Sequence, residues 1–488
     1  MSAAADGYKL FIGGEWVEPA NGHYDVINPA TEEVVGAAPE ASVEQGHLAA
    51  AAAKEALKSW SRSTPEERSA ILDRAADLLE KEVDTLSVLV QAETGATLGT
   101  AKGMHLGVAL ARFRRYARGA FESNEVPLAP SVTATTALAK GALLGAVAIR
   151  QPVGVVSAIT SYNNPLANTM GKLAPALAMG NTVVVKPAPQ DPLAVFALGK
   201  VLAEAGLPPG VLNIVTGSGP AVGQAVVEAP EIDMISFTGS TGVGIKIGEV
   251  AARGMKRTLM ELGGKGAAVV FDDANIDAAV AGIGSTFAFY SGQICTAPTR
   301  VIAHRALYDE LVSKLAGFAN VLKVGDPLAP DTVVGPVISA AHRDRIESYI
   351  KRGVDEGASL VAGGTRPDME TGFYVAPTLL ADCRSEMTVV QEELFGPVVA
   401  VMPFDDEDEA VDLANDSVFG LISYVWSADA PRANRVARQI RSGQVVLNTV
   451  ARNMEAPFGG FKMSGIGRDC GSFAMHAYSE MQAIVWPS

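Results

Sequence analysis

The spacing of apolar residues changes along the chain. After Thr64 the apolar positions Ile71, Leu72, Ala75, Leu78 and Leu79 recur at helical intervals and predict a helix with one core-facing side. Its start is marked by Thr64-Pro65-Glu66-Glu67, a capping threonine with proline in the first turn and glutamate at the third position. The alanine run Ala49 to Ala53 is expected to be ordinary helix surface. From Val153 short apolar runs alternate with helical ones. Strands are expected at Val153–Ile159, Thr182–Val185, Leu212–Val215 and Ile232–Phe237, with helices at Pro165–Met179 and Ala194–Ala205. A second alternating region follows Glu261, with strands at Ala267–Phe271, Val398–Pro403, Leu421–Trp426 and Gln444–Leu447. Ala483–Trp486 reads as an extra strand. Alternation of this kind implies parallel sheets covered by helices, here as two α/β domains with a cleft between them.

Composition narrows the class. The chain has 488 residues, 48% apolar and 19% charged, which suits two or three packed domains and argues against disorder. A net charge of -15 argues against nucleic acid or an anionic membrane as partner. Three scattered cysteines form neither a disulfide framework nor metal-ligand spacing, so no metal is expected. Met1–Lys9 has no secretory pattern, and no apolar run approaches the roughly 20 residues that span a bilayer. A reducing compartment, the cytoplasm, is the expected location.

Chemistry concentrates in a few segments. Cys295 sits in Gly292-Gln293-Ile294-Cys295-Thr296-Ala297, where a helical apolar run breaks at glycine. Glu261 lies in Met260-Glu261-Leu262-Gly263-Gly264-Lys265. A thiol and a carboxyl group, each beside glycine, suggest a nucleophile paired with a base: a thiolate captures a carbonyl carbon, and a carboxylate directs water onto the thioester. The turn Phe237 to Gly244 follows a strand and opens a helix, so its free N–H groups favour phosphate, although it lacks a GxGxxG fingerprint. Lys186, at a strand end, can reach a ribose or phosphate, and read alone it is a solvated lysine at a turn. In Thr160-Ser161-Tyr162-Asn163-Asn164-Pro165, Asn164 reads as the cap of the next helix. Asn163 admits two roles, a cap or a donor to a developing oxyanion.

Together these segments resemble the NAD(P)-dependent aldehyde dehydrogenase superfamily. The resemblance runs from Ile27-Asn28-Pro29-Ala30-Thr31 to the last strand, through MELGGK at 260–265, GQICTA at 292–297, FTGS at 237–240, EELFGPV at 392–398 and PFGGFKMSGIGRD at 457–469. It implies an α/β, aldehyde dehydrogenase-like fold of two Rossmann-like α/β domains plus a small β oligomerisation element. Residues 1–128 and 149–262 would form the dinucleotide-binding domain, 263–463 the catalytic domain, and 129–148 with 464–488 the bridging element of a homodimer or homotetramer. The resemblance also implies oxidation of a small-molecule aldehyde to an acid with NAD or NADP. Cys295 would be the nucleophile, Asn163 with the Cys295 N–H would hold the oxyanion, and Glu261 would activate water. Thr160, Lys186, Gly239, Ser240, Gly244, Leu262, Glu393 and Phe395 would bind the cofactor.

Four departures from the family pattern bear on specificity. Lys-x-x-Glu appears here as Lys186-Pro187-Ala188-Pro189, which removes a carboxylate that repels a 2′-phosphate. Trp-Asn-Phe-Pro appears as Tyr162-Asn163-Asn164-Pro165, with Asn168 one turn further on. Arg452, Asn453 and Glu455 suggest a polar tunnel mouth with Arg452 as anion partner, while Tyr162, Phe289 and Phe458 can form an apolar wall. Asp469 stands where glutamate is usual, which puts a proton relay with Lys172 in doubt. Two other readings remain: a CoA-acylating semialdehyde dehydrogenase, a branch that typically lacks the glutamate at 261, and a catalytically silent structural protein of the same fold.

Overall fold

The computed structural model describes residues 7–487. Residues 1–6, most of the segment read as lacking a secretory pattern, and Ser488 lie outside the described residues. The predicted strands and helices are present, most with ends shifted by at most two residues, as in Val155–Ile159, Pro165–Ala178, Thr182–Lys186 and Met234–Thr238; the last strand, expected at Ala483–Trp486, starts four residues earlier and runs Ser479–Pro487. Thr64 caps the helix Pro65–Lys81 through a complete capping box with Glu67.

Two sheets carry the α/β layers. The first runs, strand by strand, Gly465–Ile466, Arg257–Glu261, Met234–Thr238, Val155–Ile159, Thr182–Lys186, Leu212–Ile214, Leu10–Ile12 and Glu15–Val17. Its central strands are parallel and buried over most of their length, as the unbroken apolar runs required. The second orders Ser359–Ala362, Thr378–Ala381, Val398–Phe404, Arg300–His304, Ala267–Val270, Ile422–Trp426 and Gln444–Leu447. A separate antiparallel sheet joins Ser479–Pro487, Leu143–Pro152 and Glu125–Val132. It begins and ends a few residues outside the 129–148 expected. Residues 465–466, expected in the bridging element, instead form the edge of the first sheet beside Met260 and Glu261.

The alanine run is surface only on one side, at the exposed Ala51. Ala49, Ala50 and Ala53 are completely buried. The helix Val43–Trp60 lies so close to its neighbours that a Cβ on Gly46 would stand 3.3 Å from Ala225. Small side chains on that face permit the approach.

Candidate active site

The parallel strands of the first sheet end at Ile159, Lys186, Thr238 and Glu261, all on one edge, where open α/β sheets bind ligands. That edge faces the Cys295 loop across a cavity of about 1020 Å³. Glycines bring the two sides together. A Cβ on Gly264 would stand 2.4 Å from the Cys295 carbonyl oxygen, and one on Gly263 would overlap the Glu393 carboxylate. One on Gly292 would strike the Gly396 backbone. The segments 260–265, 292–297 and 392–398 therefore meet by backbone approach that any side chain would block. Just before the nucleophile, Tyr290 and Ser291 adopt left-handed φ values of 50° and 57°, a turn that sequence pattern did not disclose.

The three residues expected to do the chemistry all line this cavity. Cys295 is half-buried and unbridged. Burial, with the Glu393 carboxylate adding to it and Arg452 opposing, pushes its thiol up to about 12. Asn163 donates through Nδ2 to the Gln293 carbonyl at 2.8 Å, two residues before Cys295. Its Oδ1 accepts from Ser161 Oγ at 2.8 Å and from Asn168 Nδ2 at 3.3 Å, so the amide is oriented from both ends. Neither carboxylate oxygen of Glu261 has a hydrogen-bond partner. Burial raises its pKa well above the carboxylate range; Asp469 adds to this, and Lys172, Arg468 and Arg452 oppose it. Lys172, held down to about 8 by burial, donates to Ser236 Oγ at 3.1 Å rather than to a carboxylate, and Ser236 pairs with Tyr478.

Of the expected cofactor residues, Gly239, Ser240, Leu262, Glu393 and Phe395 line the cavity. Ser240 starts the helix Thr241–Arg253 without a side-chain cap, which leaves its hydroxyl and the first helical N–H groups for an acceptor. Thr160 and Lys186 stand at the ends of their strands and are not among the residues lining the cavity. The Thr160 hydroxyl is buried without a partner, and the Lys186 amine, pushed down to about 8 by burial, makes no hydrogen bond to any described residue. These unpaired groups at one sheet edge fit a dinucleotide. Gly244 does different work: it lies off the cavity and lets the helix pack on Leu262, whose Cδ2 would be 2.6 Å from an added Cβ. Glu393 accepts from the Gly264 N–H at 2.9 Å, and the His342 ring donates to the Phe395 carbonyl at 2.8 Å.

Tyr162, Asn164, Asn168, Phe289, Arg452 and Phe458 also line the cavity. Asn164 occupies the cap position of the helix Pro165–Ala178 but makes no side-chain cap bond, so the expected capping is positional only. The polar mouth is narrower than expected. Glu455 pairs with Arg115 at 2.6 Å, and the Asn453 side chain accepts from the Glu455 N–H. Arg452 alone of that trio enters the cavity, its guanidinium 4.1 Å over the Phe458 ring and its Nε buried without a partner. Met104, Val108, Arg112 and Val450 complete this end and were not singled out from sequence. They sit on ordinary helical and loop patterns and acquire their place only through tertiary packing.

Residues 16–484 match the model of the Aldehyde dehydrogenase family. The chain belongs to the aldehyde dehydrogenase family. It is similar to a geranial dehydrogenase of Castellaniella defragrans, 39% identical with 98% of each chain covered. It is also similar to a 3-succinoylsemialdehyde-pyridine dehydrogenase of a Pseudomonas species, 37% identical with 98% of each covered. Among solved structures, a betaine aldehyde dehydrogenase point mutant from Staphylococcus aureus, in complex with NAD+, superposes with a TM-score of 0.94 at 34% identity, covering 99% of this chain and 97% of that one. This aldehyde dehydrogenase is therefore an aldehyde-oxidising oxidoreductase with the family's cysteine-based chemistry. Among the described residues no helix is long and apolar enough to cross a membrane.

Proposed function

We propose that this aldehyde dehydrogenase oxidises an aldehyde that carries a carboxylate, accepts both NAD and NADP, and releases the product by hydrolysis. The observation that carries the substrate class is Arg452: a guanidinium lining the cavity, stacked on Phe458, with a buried Nε that no described residue accepts. A carboxylate at the far end of the substrate supplies the missing acceptor. The apolar wall of Tyr162, Phe289, Val450 and Phe458 holds the carbon chain.

In this reading Cys295 Sγ loses its proton and bonds to the aldehyde carbon. The second N–H of Asn163 and the Cys295 N–H stabilise the oxyanion. Bound NAD or NADP supplies the hydride acceptor, held by Thr160, Lys186, Ser240 and Glu393. Loss of hydride from the thiohemiacetal leaves a thioester on Cys295. Glu261 then takes a proton from water as its oxygen attacks the acyl carbon, and the thiolate leaves. Glu261 favours water over CoA as acceptor, so added CoA is expected to leave a free acid as product.

Replacing Arg452 with methionine keeps most of the packing on Phe458 and removes the charge. The expected result is a fall in kcat/KM for a carboxylate-bearing aldehyde of about 10- to 100-fold, matching a lost charged hydrogen bond of roughly 1.5–3 kcal/mol. An uncharged aldehyde of equal length should change less than about threefold. Equal losses for the two substrates would remove the anion-binding role.

Pro189 supports the dual cofactor reading: it is half-buried beside the Lys186 strand end and carries no carboxylate to repel a 2′-phosphate. The ratio of kcat/KM for NAD over NADP is expected below about a thousandfold. A larger ratio would mean that another group rejects the phosphate.

The first sheet serves here as the dinucleotide-binding unit and the second as the catalytic unit. The small antiparallel sheet exposes Val126, Leu128, Ile484, Val485 and Trp486, which suits burial in a homodimer or homotetramer. Three unbridged cysteines fit the reducing cytoplasm.

A further inference from the structure

At the opposite edge of the first sheet, where the central strands begin, lies a second cleft of about 710 Å³. Val153 and Gly154, which precede the strand Val155–Ile159, line it, whereas Ser161, just beyond the strand's other end, lines the active-site cavity. Five strand residues separate the two, roughly 17 Å at the usual rise. The cleft is basic on a chain whose net charge is -15. Lys54, Arg62, Arg68 and Arg150 line it, against Asp233 as the only lining carboxylate. Asp233 is already engaged, 3.1 Å from Lys54 Nζ and accepting from the Val155 N–H at 2.9 Å.

Arg68 is the decisive residue. It is 94% buried, its side chain only 6% exposed. Nη1 donates to the Ser63 carbonyl at 2.6 Å and to Ser63 Oγ at 3.3 Å. Nε is buried with no partner, and Nη2 donates to no described residue. No carboxylate forms an ion pair with it; Glu67, one residue before it, spends its side chain on the Thr64 N–H. A buried guanidinium without a counter-ion is costly, since its desolvation is not offset by a nearby opposite charge. Arg150 is similarly uncommitted, with one hydrogen bond of 3.4 Å to Ser479 Oγ. Arg62 forms none. Serine hydroxyls at 61 and 63 and the Asn124 amide complete a donor-rich lining.

We propose that this cleft is a binding site for a phosphate-bearing small molecule, held by Arg62, Arg68 and Arg150 and separate from the dinucleotide site. Planar guanidinium forks and hydroxyl donors match the several oxygens of a phosphoryl group, and the volume accommodates more than one such group. The ligand supplies the counter-charge that Arg68 lacks.

Calorimetric titration of inorganic pyrophosphate into the full-length protein tests this, with NAD kept saturating so that the cofactor's own phosphate contacts are occupied. Binding is expected, weakened at least tenfold in Arg62→Ala and in Arg150→Ala, with aldehyde turnover unchanged in both variants. These residues are partly or fully exposed, so the fold does not hinge on them. Arg68→Met should abolish binding, and if it fails to fold the two surface variants still decide the question. Absence of binding to the NAD-saturated protein would overturn the proposal, as would equal affinity in wild type and both surface variants. Burial of the cleft by a second copy of the chain would produce the first of those results.

Discussion

Replacing Cys295 with alanine is expected to lower aldehyde oxidation by about 10⁴-fold or more with either cofactor, while the protein stays folded. The sulfur is the only nucleophile of the cavity able to form a thioester, and without it no covalent intermediate can lose hydride. Its removal from a half-buried position on the wall of a large cavity takes away little packing. The same residue makes a pH prediction. Burial favours the neutral thiol and puts its pKa at about 12. The thiolate fraction therefore rises with pH, about tenfold per unit, throughout the range below that value. Alkylation of the cofactor-free protein by iodoacetamide should accelerate by that factor per unit from about pH 7 to 9, and the alanine variant should not be labelled at this site. A rate that levels off below about pH 8 would show that the thiolate is stabilised by a contact this geometry lacks.

Much of this site was legible because backbone constraints are local. Gly263, Gly264 and Gly292 stand where another backbone or a carboxylate approaches within van der Waals distance, and such approaches leave glycine in the sequence. Buried parallel strands leave unbroken apolar runs, so Thr182–Lys186 and Met234–Thr238 were readable to within two residues. Other features depend on partners distant in sequence. Ala49–Ala53 looks like surface until the closeness of the residue 221–228 helix is known. Gly465–Ile466, expected in the bridging element, becomes an edge strand of the first sheet only by pairing with Met260 and Glu261. Arg112 and Arg68 lie on amphipathic helices where arginine is ordinary. Only the burial of their charges distinguishes them, and burial is a property of the assembled core. At Gly244 the structure adds a constraint the local reading did not contain: a Cβ there would meet the Leu262 side chain, while the residue itself does not line the cavity.

Exchange of Glu261 for glutamine should separate the two halves of the reaction. Acylation needs the Cys295 sulfur, the Asn163 amide and the hydride acceptor, and the variant keeps all of them. Deacylation needs a base for water. The Glu261 carboxylate is buried, bonded to nothing, and open to the cavity that Cys295 shares. The amide has nearly the same shape but cannot take a proton. The first turnover should therefore yield about one equivalent of reduced cofactor per Cys295, followed by a steady rate lowered about 10²- to 10⁴-fold, and the acyl adduct should be visible by mass on the Cys295 peptide. Burial has a second consequence for the wild type. Because the folded-state pKa of Glu261 is raised, its basic form is lost as pH falls through that elevated value, so hydrolysis of the acyl adduct should slow on the acid side of it. Decay of a preformed Cys295 acyl adduct, followed apart from acylation, should slow as pH is lowered in the wild type and should lack that limb in the glutamine variant, which has no carboxyl to titrate. A variant that turns over steadily at the wild-type rate would place the base elsewhere. Lys172 is not a ready substitute: its amine donates to Ser236 Oγ, which in turn pairs with Tyr478.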